Sequence, residues 1–131
     1  MKKIYYLKSC STNQRILKQM NLSEDVILQN IKEENIDEAT LDQLKERVGS
    51  YEALFSKKAM KYKALGLNNM DLAEADYKRY MLDEYTFLKR PFIINEDEIF
   101  IGNSKSVIRA AIESFEKWGS VRFIFFWLYC F

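Results

Sequence analysis

Cys10 is the residue of this chain best placed to act as a nucleophile. It lies within Ile4 to Leu17, IYYLKSCSTNQRIL. Ile4 to Leu7 is a short β-rich apolar run. Lys8 to Ser11 is a polar loop, and from Thr12 onward Ile16, Leu17 and Met20 fall at helical spacing. A strand, a tight loop and a helix set Cys10 beside the first free N–H groups of that helix. Such groups stabilise an anion and favour the thiolate, the nucleophilic form, over the thiol. Lys8 and Arg15 add positive charge nearby. The alternative is a buried cysteine packed as a small hydrophobe. The polar neighbours Lys8, Ser9, Ser11 and Asn13 argue against deep burial, but the local sequence leaves both readings open.

The rest of the composition limits which chemistry can surround that thiol. The chain contains no histidine, which excludes a Ser-His-Asp triad, a Cys-His pair and most zinc sites within it. A catalytic cysteine must then be activated by a helix dipole, a cation or its substrate. At 131 residues the chain has the size of one domain with a real core, and four glycines and one proline argue against long linkers. A formal net charge of +1 gives no reason to expect a direct nucleic-acid partner. Two cysteines cannot make a disulfide framework, and only four apolar residues follow Met1-Lys2-Lys3, unlike a signal peptide. The expected compartment is therefore the reducing cytosol.

The elements that position Cys10 follow in order. After the first helix, Asn21 to Asp25 reads as a turn and Val26 to Ile31 as a second strand. Thr40-Leu41-Asp42-Gln43 has capping-box spacing, with Leu41, Leu44 and Val48 on one face and Gly49 at the end. Ser50 is expected to cap a further helix, with Tyr51, Leu54 and Phe55 as its apolar face. Lys57 to Leu65 reads as a basic helix closed by Gly66. Asp71-Leu72-Ala73-Glu74 is another capping signal, followed by Ala73, Tyr77, Tyr80 and Met81 as an apolar stripe. Those aromatic residues read as core rather than as a ligand box. Pro91 opens the strand Phe92 to Ile94. Asn95 to Glu98 is a turn, and Ile99 to Ile101 returns as the second strand of a hairpin. Asn103 or Ser104 caps a last helix that buries Ile108, Ala111, Ile112 and Phe115. The expected fold is α/β and thioredoxin-like: β-α-β, a helical insertion at about 38–85, then β-β-α, with a mixed sheet, over residues 1–118.

Phe123 to Phe131, FIFFWLYCF, is an unbroken apolar run without periodicity, too short to span a bilayer. Residues 119–131 are expected to contribute little to the domain, and Cys130 shares their doubtful status. No transmembrane segment is expected.

Three stretches resemble the arsenate reductase/Spx family of thioredoxin-fold proteins, over roughly residues 3 to 117. The first is YYLKSCSTNQRIL, with Cys10 where the family has its redox-active cysteine. The second is YEALFSKKAMKYKALGL, Tyr51 to Leu67, similar to the family's helical-insertion segment ending in Leu-Gly-Leu. The third and most specific is FLKRPFIINEDEIFIGNS, Phe87 to Ser104, similar to the family's Arg-Pro followed by a hairpin and a glycine. The resemblance implies that Pro91 is cis and faces Cys10, and that Arg90 binds an oxyanion, together with Ser11 and Thr12 at the start of the helix.

The departures from the family pattern bear on activity. Arsenate reductases of this type have two further arginines. One lies in the middle stretch, where this chain has Ser56 followed by Lys57 and Lys58. The other lies near the end of the hairpin, at Gly102 or its neighbours. Lys57 or Lys58 supplies charge but not the planar fork of arginine. The histidine that precedes the family's cysteine is Tyr6 here, and the second cysteine of an Spx-type Cys-x-x-Cys is Asn13. Lys61 and Lys63 read as a solvated helix face. The resemblance implies a thiol oxidoreductase in which Cys10 attacks an oxyanion or a disulfide, with no bound cofactor. Resolution then requires glutathione or another low-molecular-weight thiol as co-substrate, or a glutaredoxin or thioredoxin partner. Cys130 resolves only if the tail folds back. The alternative is a non-catalytic or Spx-like regulator that contacts RNA polymerase.

Overall fold

The computed structural model describes residues 1–116. The expectations for residues 119–131 and for Cys130 lie outside the described residues. A four-stranded mixed sheet forms the centre, in the order β2-β1-β3-β4. β1 (Lys2–Tyr6) runs parallel to β2 (Ile27–Asn30), with Lys3 opposite Ile27. On its other side β1 is antiparallel to β3 (Phe92–Asn95), so that Ile4 faces Ile93 and Tyr5 faces Phe92. β4 (Glu98–Ile101) returns antiparallel to β3, with Asn95 opposite Glu98.

The two-residue period of a strand sends alternate side chains to opposite faces of the sheet. Ile4 and Ile93 go to one face. There they pack with Ile16 and Met20 of α1 (Ser11–Met20), and with Ile108 and Ala111 of a helix at residues 105–116. Tyr5, Phe92 and Ile94 go to the other face. They meet Leu41 and Leu44 of α2 (Glu38–Val48), and Tyr77 and Met81 of α4 (Glu74–Asp83). Between those helices lies the short α3 (Met60–Ala64). The helix at residues 105–116 is α5 in chain order. This is the expected thioredoxin-like architecture, with the helices of residues 38–83 between β2 and β3.

Phe55 is the hub of the second core. It stacks on Phe87 at 5.0 Å between centroids and meets Tyr77 and Tyr62 edge-on at 5.0 and 5.8 Å. Tyr80 also packs edge-on against Phe87. The aromatic residues of this segment are core, as expected.

Several boundaries differ from the sequence reading. α2 begins at Glu38, because Asp37 accepts the Thr40 N–H at 2.7 Å; Thr40 is in the first turn and is not the cap. Ser50 Oγ does accept the Ala53 N–H, but it caps a single 3-10 turn, Glu52–Leu54. The chain extends at Phe55 to form a bridge with Leu88, which ends the turn. Lys57 and Lys58 lie before α3 and not in it. The Ser56 N–H is held by the Phe87 carbonyl at 2.7 Å, and Ala59 is still extended. α4 begins after Ala73, with Asp76 reaching back to the Ala73 N–H at 2.9 Å; Asp71 is not its cap. Ala73 is exposed and so outside the buried stripe. Of the two candidates for α5, Ser104 caps it, accepting the Val107 N–H.

Candidate active site

β1 ends at Tyr6, and Leu7 to Cys10 forms a tight turn closed by the Cys10 N–H on the Leu7 carbonyl at 3.1 Å. Cys10 takes extended backbone angles and occupies the cap position of α1. The Gln14 N–H bonds to the Cys10 carbonyl, so the N–H groups of Ser11, Thr12 and Asn13 have no acceptor within the helix. Cys10 is half-buried, not sealed in the core, which decides between the two local readings of that residue in favour of an accessible thiol.

Cys10 opens into a cleft of about 750 Å³. Four cationic side chains line it with the thiol: Lys57, Lys58, Lys89 and Arg90. One carboxylate, Glu52, shares the wall. The cations come from two segments about thirty residues apart in sequence. They meet because residues 54–56 pair with residues 87–89. The Ser56 N–H bonds the Phe87 carbonyl at 2.7 Å, and the Lys89 N–H bonds the Leu54 carbonyl at 3.0 Å. Stacking of Phe55 on Phe87 holds that pairing from the core side.

Arg90 is half-buried, and its Nη1 donates to the Thr86 carbonyl at 3.3 Å, which leaves most of the guanidinium donors free. The Arg90–Pro91 peptide bond is cis, as the resemblance implied, and Pro91 is buried at the start of β3. Ile101, Gly102, Asn103 and Ser104 form another side of the wall, and Asn13, Ser50, Ala53, Phe55 and Ser56 also line it. Gly102 has φ +90°, a conformation that side-chain-bearing residues rarely adopt, and its N–H bonds the Pro91 carbonyl at 3.0 Å.

Lys57 pairs with Glu52 at 2.7 Å. That hydrogen bond holds the Glu52 carboxyl below its ordinary range and pushes the Lys57 ammonium above its own. Lys57 thus enters the cleft already partnered, whereas Lys58, Lys89 and Arg90 have no carboxylate partner among the described residues.

The structure sorts the residues singled out from sequence. Cys10, Arg90, Lys57 and Lys58 share one cleft. Ser11 and Thr12 follow Cys10 at the start of α1 but do not line the cleft, nor do Lys8 and Arg15. Lys61 is on the surface with Glu84 as partner, and Lys63 is exposed. Two residues escaped the sequence reading. Lys89 precedes Arg90 in the same stretch, so its position next to Arg90 was the available signal. Asn13, read as a polar neighbour arguing against burial and as the place of a missing cysteine, is itself buried and donates to Cys10 Sγ at 3.5 Å. Among the described residues no three His, Cys, Asp or Glu side chains converge as metal ligands. No described helix is long and apolar enough to cross a membrane.

The fold has solved relatives. The YFFB protein superposes with a TM-score of 0.69 at 19% identity, covering 86% of this chain and 99% of that one. A protein described as "a possible arsenate reductase from Streptococcus mutans UA159" gives 0.63 at 21% identity, over 80% and 92% of the two chains. An arsenate reductase (ArsC) related protein from Brucella melitensis gives 0.61 at 23% identity, over 83% and 92%. These likenesses establish the fold. No curated protein sequence matches the chain. The model of the ArsC family matches residues 5–111, a span that contains Cys10, both cationic segments and the cis-proline. The chain therefore belongs to the ArsC family.

Proposed function

We propose that this protein is an arsenate reductase-like thiol oxidoreductase in which Cys10 is the sole nucleophile of the cleft and an external thiol completes the cycle. One observation carries the reading: Sγ of Cys10, at the start of α1, opens onto a cleft lined by Lys57, Lys58, Lys89 and Arg90. Helix N–H groups favour negative charge on the attacking sulfur, and the cations favour an anionic reactant.

In the exchange reaction, Cys10 Sγ as thiolate attacks one sulfur of a disulfide R–S–S–R. The Sγ–S bond forms, the original S–S bond breaks, and one RS⁻ leaves with the electron pair. A thiolate from outside then attacks the R sulfur of the mixed disulfide and returns the electron pair to Sγ. Among the described residues Cys10 is the one cysteine, so this second step falls to glutathione, another small thiol, or a glutaredoxin or thioredoxin.

For arsenate the cleft is less complete. Arg90 is the one guanidinium on its wall, and lysines stand where a second fork would be needed. Charge-assisted hydrogen bonds are worth roughly 1.5–3 kcal/mol each, so replacing forks by point charges costs orders of magnitude in affinity. Disulfide exchange is therefore the main activity and arsenate reduction the weaker one. The test follows oxidation of reduced glutathione in two parallel assays, one with a small disulfide and one with arsenate and glutaredoxin. Exchange that Cys10→Ser abolishes supports the reading. Exchange unaffected by that substitution ends it, and efficient arsenate turnover would show that the lysines replace the missing forks.

A further inference from the structure

Asn13 sits three residues after Cys10, and its side chain is almost wholly enclosed, at 1% exposure. Each end of its amide has one partner. Oδ1 accepts the Leu7 N–H at 3.0 Å, and Nδ2 donates to Cys10 Sγ at 3.5 Å. The Leu7 N–H can only donate, so it dictates which end of the amide is oxygen. Turning the amide over would set NH₂ against N–H and leave the carbonyl facing sulfur. The group that meets Sγ is therefore a donor and cannot act as an acceptor. A serine or cysteine in that place could do either.

This asymmetry distinguishes the states of Cys10. A thiolate sulfur is a strong acceptor for the Nδ2 hydrogen; a sulfur already in a disulfide is a poor one. When the mixed disulfide forms, a buried donor loses its acceptor, and buried donors without acceptors are costly. When the outside thiol breaks the Sγ–S bond, the electron pair returns to Sγ and the hydrogen bond is regained. We infer that Asn13 is a positioning residue that holds Cys10 Sγ as a hydrogen-bond acceptor and thereby destabilises its mixed disulfide, so that one outside thiol suffices to release Cys10. The inference deepens the exchange reaction proposed above and rests on it. It also assigns a task to the position at which a resolving cysteine is missing: the site favours release by a visitor in place of capture by a neighbour.

The test equilibrates the full chain in glutathione redox buffers and reads the glutathione adduct on Cys10 by mass spectrometry. Asn13→Leu removes the donor and should raise the equilibrium constant for the adduct about tenfold, the size expected for one buried hydrogen bond. Reduction of that adduct by excess thiol should slow in parallel. Asn13→Ser restores a hydroxyl donor on the same helix face and should bring the constant back toward that of the unsubstituted protein. Both variants lose the carbonyl that holds Leu7, so both should lose thermal stability. A purely structural role would move the two constants together with the melting temperatures, and that outcome overturns the inference. A measurement on the unsubstituted protein covers the case of a variant that does not fold. The Asn13 side-chain amide protons, followed by NMR, should exchange faster with solvent once Cys10 is alkylated by iodoacetamide, since a thioether accepts poorly. Unchanged exchange also overturns it. Absence of any glutathione adduct would instead sink the exchange reaction, while the alkylation experiment would still decide the role of Asn13.

Discussion

At the scale of single residues, the proposed reaction separates the reacting atom from the groups that would choose its reactant. Cys10 supplies the sulfur, and its cap position on α1 supplies the local field. Cys10 should therefore react with iodoacetamide faster than an unstructured cysteine does at neutral pH. Peptide mapping after brief labelling checks this, and slow labelling of Cys10 would remove the nucleophile from the proposal. Glu52 has the opposite effect from the cations, because its carboxylate partners Lys57 at 2.7 Å. Its carboxyl is held below the ordinary range by that hydrogen bond, so at neutral pH the pair is intact. Its contribution to stability is present above the carboxylate's unfolded range and is lost only as acid titrates the lowered carboxyl. Glu52→Gln should free Lys57 at neutral pH and raise the exchange rate with an anionic disulfide several-fold, by roughly the size of one surface charge interaction. A neutral disulfide such as hydroxyethyl disulfide should show no such gain. Equal effects on both substrates would mean that Glu52 has no part in selecting charge.

At the scale of elements, the short pairing of residues 54–56 with 87–89 is what makes a site out of two distant segments. It presents Lys57 and Lys58 on one side and Lys89 and Arg90 on the other. Its anchor is apolar: Phe55 and Phe87 are each 1% exposed and stacked at 5.0 Å. Phe87→Ala should cost about 3–5 kcal/mol, the usual range for emptying a buried aromatic site. Urea unfolding measures it. Activity should fall further than the folded fraction does, since the two cationic segments lose their common support. The loop before Arg90 carries a pH-sensitive anchor as well. Glu84 caps the Tyr85–Phe87 turn and pairs with Lys61, and that pairing chiefly holds its carboxyl below the ordinary range. A lowered carboxyl stabilises the fold above its unfolded range and loses that contribution as pH falls through the lowered value. Glu84→Gln keeps the oxygen that caps the turn but removes the charge paired with Lys61, so it should destabilise the protein at neutral pH by about 1 kcal/mol or less, the size of a surface ion pair, and make little difference in strong acid. A constant difference at every pH would count against the assignment.

At the scale of the whole molecule, a chain of formal net charge +1 sets four of its twenty Lys and Arg residues, against one carboxylate, around one cleft. The cleft attracts anions although the molecule as a whole is nearly neutral. Exchange with oxidised glutathione should consequently slow as salt is added. The Debye length falls from about 10 Å at 0.1 M to about 3 Å at 1 M, which screens the approach but not a formed contact. Lys58→Ala combined with Lys89→Ala should flatten the salt dependence and leave exchange with a neutral disulfide close to its original rate. Stopped-flow rates at several salt concentrations test this. A salt dependence that survives both substitutions would place the attraction elsewhere on the surface.

Local pattern alone determined much of this protein. The strand–loop–helix around Cys10, the hairpin after Pro91 and the thioredoxin-like order of elements were all legible. Each depends on side-chain periodicity and turn chemistry within about fifteen residues. The Arg-Pro stretch and the cysteine also pointed to the family. Helix starts were less legible at Asp37, Ala73 and Lys57, because several residues could cap and the choice depended on contacts from elsewhere. The cleft itself was decided by tertiary structure. Lys57 and Lys58 read as part of a basic helix, but the Phe87 carbonyl takes the Ser56 N–H and the two lysines form a turn before α3. Lys8 and Arg15, near Cys10 in sequence, stay out of the cleft, while Lys89, far from it in sequence, enters. Asn13 read as an absence. Its amide is oriented by the Leu7 N–H, a constraint that exists only once the loop has closed over the helix. Sequence records which donors and acceptors a chain carries, and the fold decides which of them are enclosed together.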